Sequence, residues 1–542
     1  MINSSNHIHI LLAATLLFGA TSCEDFLQKD PPSSPSQSVF WQKKSDFESA
    51  LAGTYSVMYS GVFSQIMPCL DGLTDNAIVQ HSEGTYGWAK TIAQGDLTPN
   101  QGGFVTDIYG NCYKGIARVH ILMEQLEQYT GSDISADDKK FMLAQCKALR
   151  GYFYSWLYQC YKEVPVVTQS LDLNTMYQPK ATRAEVLNRV MTDYDEAISE
   201  LPDKLYSDSQ TSGRFTVSAV KALKARILLF DAYDSNGKAI PSKMEEVLTL
   251  LQSIKGYSLA ARVRDNFISE KQLASPEIMF SVRFLRPNLT HSMDLYYGAW
   301  AVLDPTRNMV DAFECTDGKP WGESPLTVRP DESILYGNND ALKKAERAKM
   351  FMNRDRRLYE SVNHSMMANF ASDGWKDEEV QVNESNNKGP TGFSALKYIQ
   401  PTDVTPGYST VSDADVIVLR YAHVLLMIAE AENEAHGPTT TALDAINKVR
   451  TRSGQPAIGA GISQDDLRER IRNEWRIETC FEGLRYFQLK RWKLMDKLVN
   501  GAEDPAYLGY IKVYKPAFEF FPIPQSEIDK AGGVLKQDPA YE

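Results

Sequence analysis

Three glutamates recur at four-residue intervals near the C-terminus of this 542-residue chain: Glu474, Glu478 and Glu482. Two carboxylates at a defined separation can cleave a glycosidic bond, one as general acid and the other as base or nucleophile. Residues four apart share one face of a helix, and Arg472 and Arg476 alternate with these glutamates. Carboxylates on one helix with arginines on every side favour a structural ion network. A surface glycosidase is the alternative.

Other catalytic signatures are missing from the sequence. There is no G-x-S-x-G, P-loop, H-E-x-x-H or EF-hand motif, and two of the eight histidines lie in the first ten residues. The cysteines after residue 23 are too far apart for a zinc or redox site; they are Cys69, Cys112, Cys146, Cys160, Cys315 and Cys480. We expect no catalytic residues, no cofactor and no metal. The net charge of −12 also argues against nucleic acid as a partner.

The chemistry that the N-terminus predicts is lipidation of Cys23. Residues 8–20 form an apolar run that is too short to span a bilayer and typical of a signal peptide. The run ends in Ala20-Thr21-Ser22-Cys23, which resembles a lipobox, although Leu is usual where Ala20 stands. The following Glu24-Asp25 resembles the acidic export tag of bacterial surface lipoproteins. We predict a signal peptide over 1–22 and a lipid-anchored tether, rich in Pro and Ser, over 23–37.

Apolar periodicity predicts a helical scaffold behind these residues. Hydrophobic side chains at three- and four-residue steps indicate helices that begin near residues 105, 138, 182 and 217. Thr182 and Glu185 form a capping box, and Ala219, Ala222 and Ala225 predict close packing of the fourth helix. Two of the three spacings are close to the 34-residue period of the tetratricopeptide repeat (TPR). Further helices are predicted over 418–436, 440–453 and 465–499.

The segment 256–417 has a different character. Its periodicity is poor, Gly, Pro, Asn and aromatic residues are interspersed, and it is too long for a loop inside a compact domain. We therefore predict a mainly α, right-handed helical scaffold of degenerate TPR-like helix pairs with 256–417 as a loop-rich inserted subdomain. Residues 38–255 form its N-terminal helical region. Residues 418–542 supply the C-terminal helices and the closing segment of the same scaffold.

Several segments, in order along the chain, match the pattern of one family. Lys147–Tyr154 followed by Val164–Val167 is similar to an R-A-x-x-Y … P-L-V segment, and Asn353–Leu358 resembles N-R-D-P-R. Leu419–Ala431 resembles L-R-Y-A-D-V-L-L-x-x-A-E-A, with His423 in place of Asp. The most specific match is R-N-E-W-R-I-E at 472–478, followed by F-E-G at 481–483. Over essentially the whole mature chain, the sequence resembles the SusD/RagB family.

The resemblance implies a lipoprotein on the outer face of the bacterial outer membrane. Such a protein captures a glycan and passes it to a SusC-like TonB-dependent transporter. Some members bind peptides, so a peptide ligand is the first alternative. A surface glycosidase and a TPR-type scaffold that binds only protein partners are the others. The family's sites are shallow and built from variable loops, so the resemblance assigns no ligand-binding residue.

Sugar chemistry suggests which loop residues to consider. Sugar rings expose apolar C–H faces that stack on Trp and Tyr, and their hydroxyls need partners such as Asp and Asn. The candidates from residues 71–90 and from the inserted subdomain are Asp75, Asn76, Tyr86, Trp88, Tyr296, Trp300, Trp321 and Trp375. We expect the rings to be accessible, since a stacking residue must face solvent. Core packing or contact with the transporter is the competing interpretation for each aromatic residue.

Overall fold

The computed structural model describes residues 40–208, 213–337, 340–363, 389–401 and 409–542. The predicted signal peptide and tether, with the lipidation candidate Cys23, lie outside these ranges. So does Trp375. The remaining seven candidate ligand-binding residues fall within them.

Seven α-helices lie in the described residues of the N-terminal part. They are α1 (Lys44–Tyr55), α2 (Gly87–Ala93), α3 (Phe104–Gln128), α4 (Ala136–Cys160), α5 (Arg183–Glu200), α6 (Val217–Phe230) and α7 (Pro241–Gln252). The four predicted helices therefore exist. The capping box is also present, because the Thr182 side chain accepts from the Glu185 amide and the Glu185 carboxylate accepts from the Thr182 amide at 2.7 Å. This reciprocal pair satisfies donors that a helix start leaves open.

The long helices pack in sequence order. α3 lies against α4, α4 against α5, α5 against α6 and α6 against α7. On α6, Ala219, Ala222 and Ala225 are fully buried, as close helix approach requires. The prediction of a mainly α scaffold built from helix pairs is confirmed.

The elements that follow α7 are short. The helices are α8 (Ser269–Gln272), a π-helix (Asp294–Ala299), α9 (Arg307–Ala312), α10 (Glu332–Leu335), α11 (Asp340–Met350) and α12 (Arg356–Ser361). The strands form antiparallel pairs: β1 (Ala77–Val79) with β3 (Leu303–Pro305), β2 (Ile278–Val282) with β6 (Val416–Arg420), and β4 (Val362–Asn363) with β5 (Ser394–Ala395). Short 3-10 helices occupy Ser56–Tyr59, Gly61–Phe63, Met67–Leu73, Gly84–Tyr86, Arg264–Phe267, Pro516–Glu519 and Pro539–Tyr541.

Long helices resume after β6. They are α13 (Tyr421–His436), α14 (Thr440–Arg452) and α15 (Gln464–Glu478), followed by the short α16 (Arg485–Arg491), α17 (Met495–Leu498) and α18 (Gln525–Lys530). α13 packs against α7, α14 and α15, so helices distant in sequence continue one stack. The division into an N-terminal region, an inserted subdomain and a C-terminal region stays a prediction.

Two of the predicted helices differ from the structure in their extent. Residues 418–420 belong to β6, where the β-branched Val416, Ile417 and Val418 suit a strand that pairs with β2. The predicted helix 465–499 is broken into α15, α16 and α17. The first break contains Phe481 and Gly483 with φ of 63° and 71°, in the left-handed region that a continuous helix does not allow.

One continuous apolar cluster extends from Phe47 on α1 to Leu535 near the C-terminus. The six cysteines after residue 23 are free and buried, and they act as small apolar side chains within the core. Within the described ranges, no helix combines the length and the apolarity needed to cross a bilayer.

Candidate functional site

The three glutamates considered for glycosidase chemistry lie in a buried ion network. Glu474, Glu478 and Glu482 are 1%, 0% and 2% exposed. Glu478 accepts hydrogen bonds from Arg420 at 2.6 Å and from Arg357 at 3.0 Å. The same guanidinium groups bind the flanking glutamates, Arg357 to Glu474 at 2.5 Å and Arg420 to Glu482 at 2.7 Å. The predicted structural ion network is confirmed, but its arginines come from distant segments. Arg472 and Arg476, which alternate with these glutamates in sequence, bind Glu469 and Asn76 instead.

Burial and the neighbouring cations set the protonation of this network. Burial alone would raise the pKa of Glu478 and Glu482, but the arginines, with Lys397 beside Glu482, lower it well below the usual range. Burial raises the pKa of Glu474, whose carboxylate accepts hydrogen bonds from two arginines. A glycosidase needs one protonated carboxyl and one ionised carboxylate that face a bound sugar. These side chains face cations in the core, so they form no glycosidase site.

Asp75 and Asn76 are buried and bound by arginines from the C-terminal helices. Arg485 donates two hydrogen bonds to the Asp75 carboxylate, at 2.9 and 2.8 Å, and Arg476 donates to the amide oxygen of Asn76 at 2.8 Å. Burial would raise the pKa of Asp75, but Arg476 and Arg485 outweigh it and lower the pKa. These contacts attach the segment before β1 to α15 and α16. A sugar hydroxyl would have to compete with arginine for the same oxygens.

Trp88 and Trp321 are core residues, each 4% exposed. The ring of Trp88 packs against Phe104 with centroids 5.2 Å apart. The guanidinium groups of Arg307 and Arg354 lie 5.2 and 5.3 Å from the ring centroid of Trp321. The expectation that these two rings are accessible was wrong, because packing from distant parts of the chain covers them.

The other three predicted aromatic residues come together in one cluster, which we call the aromatic platform: Tyr86, Tyr296 and Trp300. Tyr296 and Trp300 are stacked, with centroids 5.6 Å apart and ring planes 20° apart. Tyr86 meets them edge-on, at 5.5 Å from Tyr296 and 6.3 Å from Trp300. Tyr296 and Trp300 are partly exposed, and the neighbouring residues 82–85 are exposed. Tyr86 itself is buried at 8% exposure, so the expectation of an accessible ring was wrong for Tyr86 as well. Residues more than 200 positions apart thus form one surface.

The π-helix explains why Tyr296 and Trp300 face the same way. Its wider turn includes an i→i+5 hydrogen bond from the Trp300 amide to the Leu295 carbonyl, at 2.9 Å. Met293 and Tyr297 point into the core at 0% and 1% exposure, which leaves Tyr296 and Trp300 on the outer side. π-Helical turns are rare and frequent at functional sites.

Two residues that sequence analysis missed hold the platform in place. Gln80 donates through Nε2 to the carbonyls of Ala301 at 2.8 Å and Trp300 at 3.3 Å, and His81 Nε2 lies 2.9 Å from the Trp300 carbonyl. Ala301 has a φ of 43°, an unfavourable conformation for a residue with a side chain. Backbone strain that surrounding contacts maintain is common at binding sites. No local pattern around Gln80 or His81 indicates contact with Trp300.

The platform offers one kind of chemistry. The partly exposed rings of Tyr296 and Trp300, packed on the buried Tyr86, offer a weakly polar surface for the apolar face of a ligand, and Gln80 and His81 add polar atoms beside it. Such a surface suits recognition by stacking.

Two family models match the chain. One is described as the SusD family and matches residues 280–541, and the other as starch-binding, associating with outer membrane, and matches residues 25–229. A curated relative, SusD-like protein P38 of Formosa agariphila, is 23% identical over 493 residues, which cover 87% of this chain and 88% of the relative.

Solved structures share the fold. A SusD-like protein from Bacteroides fragilis has a TM-score of 0.73 at 21% identity and covers 95% of this chain and 100% of its own. Surface glycan-binding protein A from Bacteroides fluxus has a TM-score of 0.68 at 16% identity, with 92% of this chain and 100% of its own covered. The predicted TPR-like helical fold is therefore confirmed. Since the two family models together span most of residues 25–541, the chain belongs to the SusD-like family.

Proposed function

We propose that this protein is a lipid-anchored binding protein of the outer membrane that captures a glycan on the aromatic platform and delivers it to a SusC-like TonB-dependent transporter. It has no catalytic role in this proposal. The observation that supports it most is the surface pair of stacked rings, Tyr296 and Trp300, with Tyr86 beside them. The family's description as starch-binding and the glycan-binding relative from Bacteroides fluxus support a glycan over a peptide.

Electrophoresis in native gels that contain polysaccharide tests the ligand and the site together. Starch and other neutral glucans should retard the protein. Each stacked ring should contribute about 1 kcal/mol, so Trp300→Ala and Tyr296→Ala should each weaken binding about five-fold. Affinity should rise with oligomer length and change little with salt, because screening acts on charges.

Tyr177→Ala is the matched control, since Tyr177 is 46% exposed and lies outside the platform. It should be retarded like the wild type. Retardation that is equal in the wild type and both platform variants would move the site elsewhere. Retardation by peptides but by none of the polysaccharides would favour the peptide-binding alternative.

The anchor has its own test. Cys23→Ala should release the protein from the membrane fraction or block its processing, because stable anchoring needs the two acyl chains of a modified cysteine. Cys69→Ala is a control, since Cys69 is buried and free. If Cys23→Ala stays in the membrane fraction at the wild-type level, the protein is held there by something other than this cysteine.

A further inference from the structure

A cavity lies at the other end of the β1–β3 pair from the aromatic platform. Its volume is about 220 Å³, and its buried walls include Asp75, Ile78, Thr306, Asp504, Tyr510 and Lys512. β1 and β3 are antiparallel, with Ala77 paired to Pro305 and Val79 to Leu303. Gln80, His81 and Trp300 therefore lie at one end of the pair, and Asp75 and Thr306 at the other. Asp75 and Gln80 are five positions apart along an extended segment, which corresponds to about 15 Å.

Most charged groups of the wall already have protein partners. The Lys512 ammonium donates to the carbonyls of Gly72 at 3.1 Å and Ala77 at 2.5 Å and also to the Thr74 carbonyl, which uses its three protons. Arg485 binds both carboxylate oxygens of Asp75. Neither side chain needs a ligand to be satisfied.

Tyr510 and Asp504 differ from these. Tyr510 is 3% exposed, and its hydroxyl has no hydrogen-bond partner in the part of the chain that the structure describes. Asp504 accepts one backbone hydrogen bond on each oxygen, from Arg307 at 2.7 Å and Ala506 at 2.9 Å. A carboxylate has about four acceptor positions, so capacity remains. A buried hydroxyl without a partner is unfavourable, and a ligand in the cavity would supply that partner.

The charges of the wall favour an uncharged ligand. Burial raises the pKa of Asp504, while Arg307 and Lys512 act in the opposite direction, so the carboxylate already has cationic neighbours. At the mouth, the exposed Lys497 and Glu503 carry opposite charges. Apolar contact is supplied by Ile78, which is 1% exposed, and by other apolar residues of the lining.

We infer that this cavity is a second ligand site, separate from the aromatic platform, that binds one small uncharged polyhydroxylated molecule. The Tyr510 hydroxyl and the Asp504 carboxylate bond its hydroxyls, and Ile78 packs against its C–H groups. A volume of about 220 Å³ suits a ligand of the size of a single sugar unit.

Saturation-transfer NMR on the full chain, in a detergent without a sugar headgroup, tests this site. The probes are D-glucose and myo-inositol, with glucosamine as a cationic comparison. We expect saturation transfer to at least one neutral probe. Tyr510→Phe should abolish it without lowering thermal stability, because the substitution removes a hydroxyl that has no partner. Ala502→Leu, which adds volume to the cavity lining, should abolish it as well.

Trp300→Ala separates the two sites, because it removes a platform ring and should keep the part of the signals that Tyr510→Phe and Ala502→Leu remove. Loss of the signals in Trp300→Ala would place the sugar on the platform and overturn the inference. The inference would also be overturned if neither neutral probe received saturation transfer, because the cavity would then hold only water. Equal transfer in the wild type, Tyr510→Phe and Ala502→Leu would overturn it as well. Transfer to glucosamine alone would show a cation site and would contradict an uncharged ligand. Polysaccharide retardation in gels reports on the platform independently.

Discussion

At the scale of single residues, the same side-chain type has opposite roles in this protein. Trp88 lies at the start of α2 and Trp300 directly follows the π-helix. Trp88 is 4% exposed against Phe104, whereas Trp300 stacks on Tyr296 at the surface. The difference arises from what covers each ring. A tryptophan is large and apolar enough for either role, so its identity does not decide between core and binding surface.

Trp88→Ala should therefore act on stability. Truncation of a buried Trp leaves a cavity and costs about 3–5 kcal/mol of the free energy of unfolding. Urea unfolding followed by circular dichroism measures the loss. Trp300→Ala is the comparison, and it should cost less stability while it weakens glycan binding. The reverse order of stabilities would show that Trp88 is not held in the core as described.

At the scale of elements, the interruption between α15 and α16 is the clearest departure from simple helical periodicity. A Cβ added to Gly483 would lie 2.8 Å from the Met67 carbonyl oxygen, so the chain passes too close for any side chain. In the same turn, the Phe481 amide donates to the Asp71 carboxylate at 2.7 Å. The break thus connects the C-terminal helices to the segment before β1, where Asp75 and Asn76 are bound by Arg485 and Arg476.

Gly483→Ala should lose about 2 kcal/mol or more, because it combines an unfavourable positive φ with a steric contact. Gly501→Ala isolates the cost of the positive φ. Gly501 has a φ of 77°, but nothing lies within 4 Å of an added Cβ, and about 1 kcal/mol is expected there. Thermal unfolding of both variants gives the comparison. Equal losses would mean that the approach to Met67 relaxes at no cost.

At the scale of the whole molecule, buried polar contacts connect distant segments. Arg357 on α12 and Lys397 bind glutamates of the α15 region, and Arg420 of β6 binds Glu277 before β2 at 2.7 Å. Removal of one partner from such a buried pair leaves an uncompensated charge, so the network holds these segments in one arrangement.

Two buried histidines also make polar contacts between distant segments, and both act in these contacts as neutral imidazoles. His423 Nε2 lies 3.0 Å from Glu482 while its Nδ1 accepts from Arg226 at 3.1 Å. His291 Nε2 lies 2.7 Å from the Ala414 carbonyl while its Nδ1 accepts from the Met293 amide at 3.2 Å. Burial lowers the pKa of each to about 4. A proton on Nδ1 would remove an acceptor that the fold uses.

Stability should therefore fall on the acid side. The unfolded chain binds these protons near pH 6.5 and the folded chain only near pH 4, so the contribution is complete above about pH 6.5 and is lost as the pH falls towards 4. Each histidine accounts for up to about 3 kcal/mol. Urea unfolding at a series of pH values measures the slope, which His291→Gln and His423→Gln should reduce. His436→Ala, at an exposed histidine, should keep it. An unchanged slope in both buried variants would assign the pH dependence to other groups, which are the carboxylates and the buried His120, whose pKa burial also lowers to about 4.

The sequence by itself determined the helical scaffold and the ion network. Apolar spacing and the Thr182–Glu185 capping box act within a few turns, so the starts of α3 to α6 could be predicted from local patterns. The alternation of glutamates with arginines over residues 472–482 likewise indicated an ion network, but the arginines that bind these glutamates, Arg357 and Arg420, come from distant segments.

Only the tertiary structure decided which loop residues form a surface. Tyr86 meets Tyr296 and Trp300, while Asp75 meets Arg485, through contacts that span hundreds of residues. The break at Gly483 and the positions of Gln80 and His81 depend on the same kind of contact. Such contacts arise when separate segments pack and exclude water from the shared core, and that packing has no local signature in the chain.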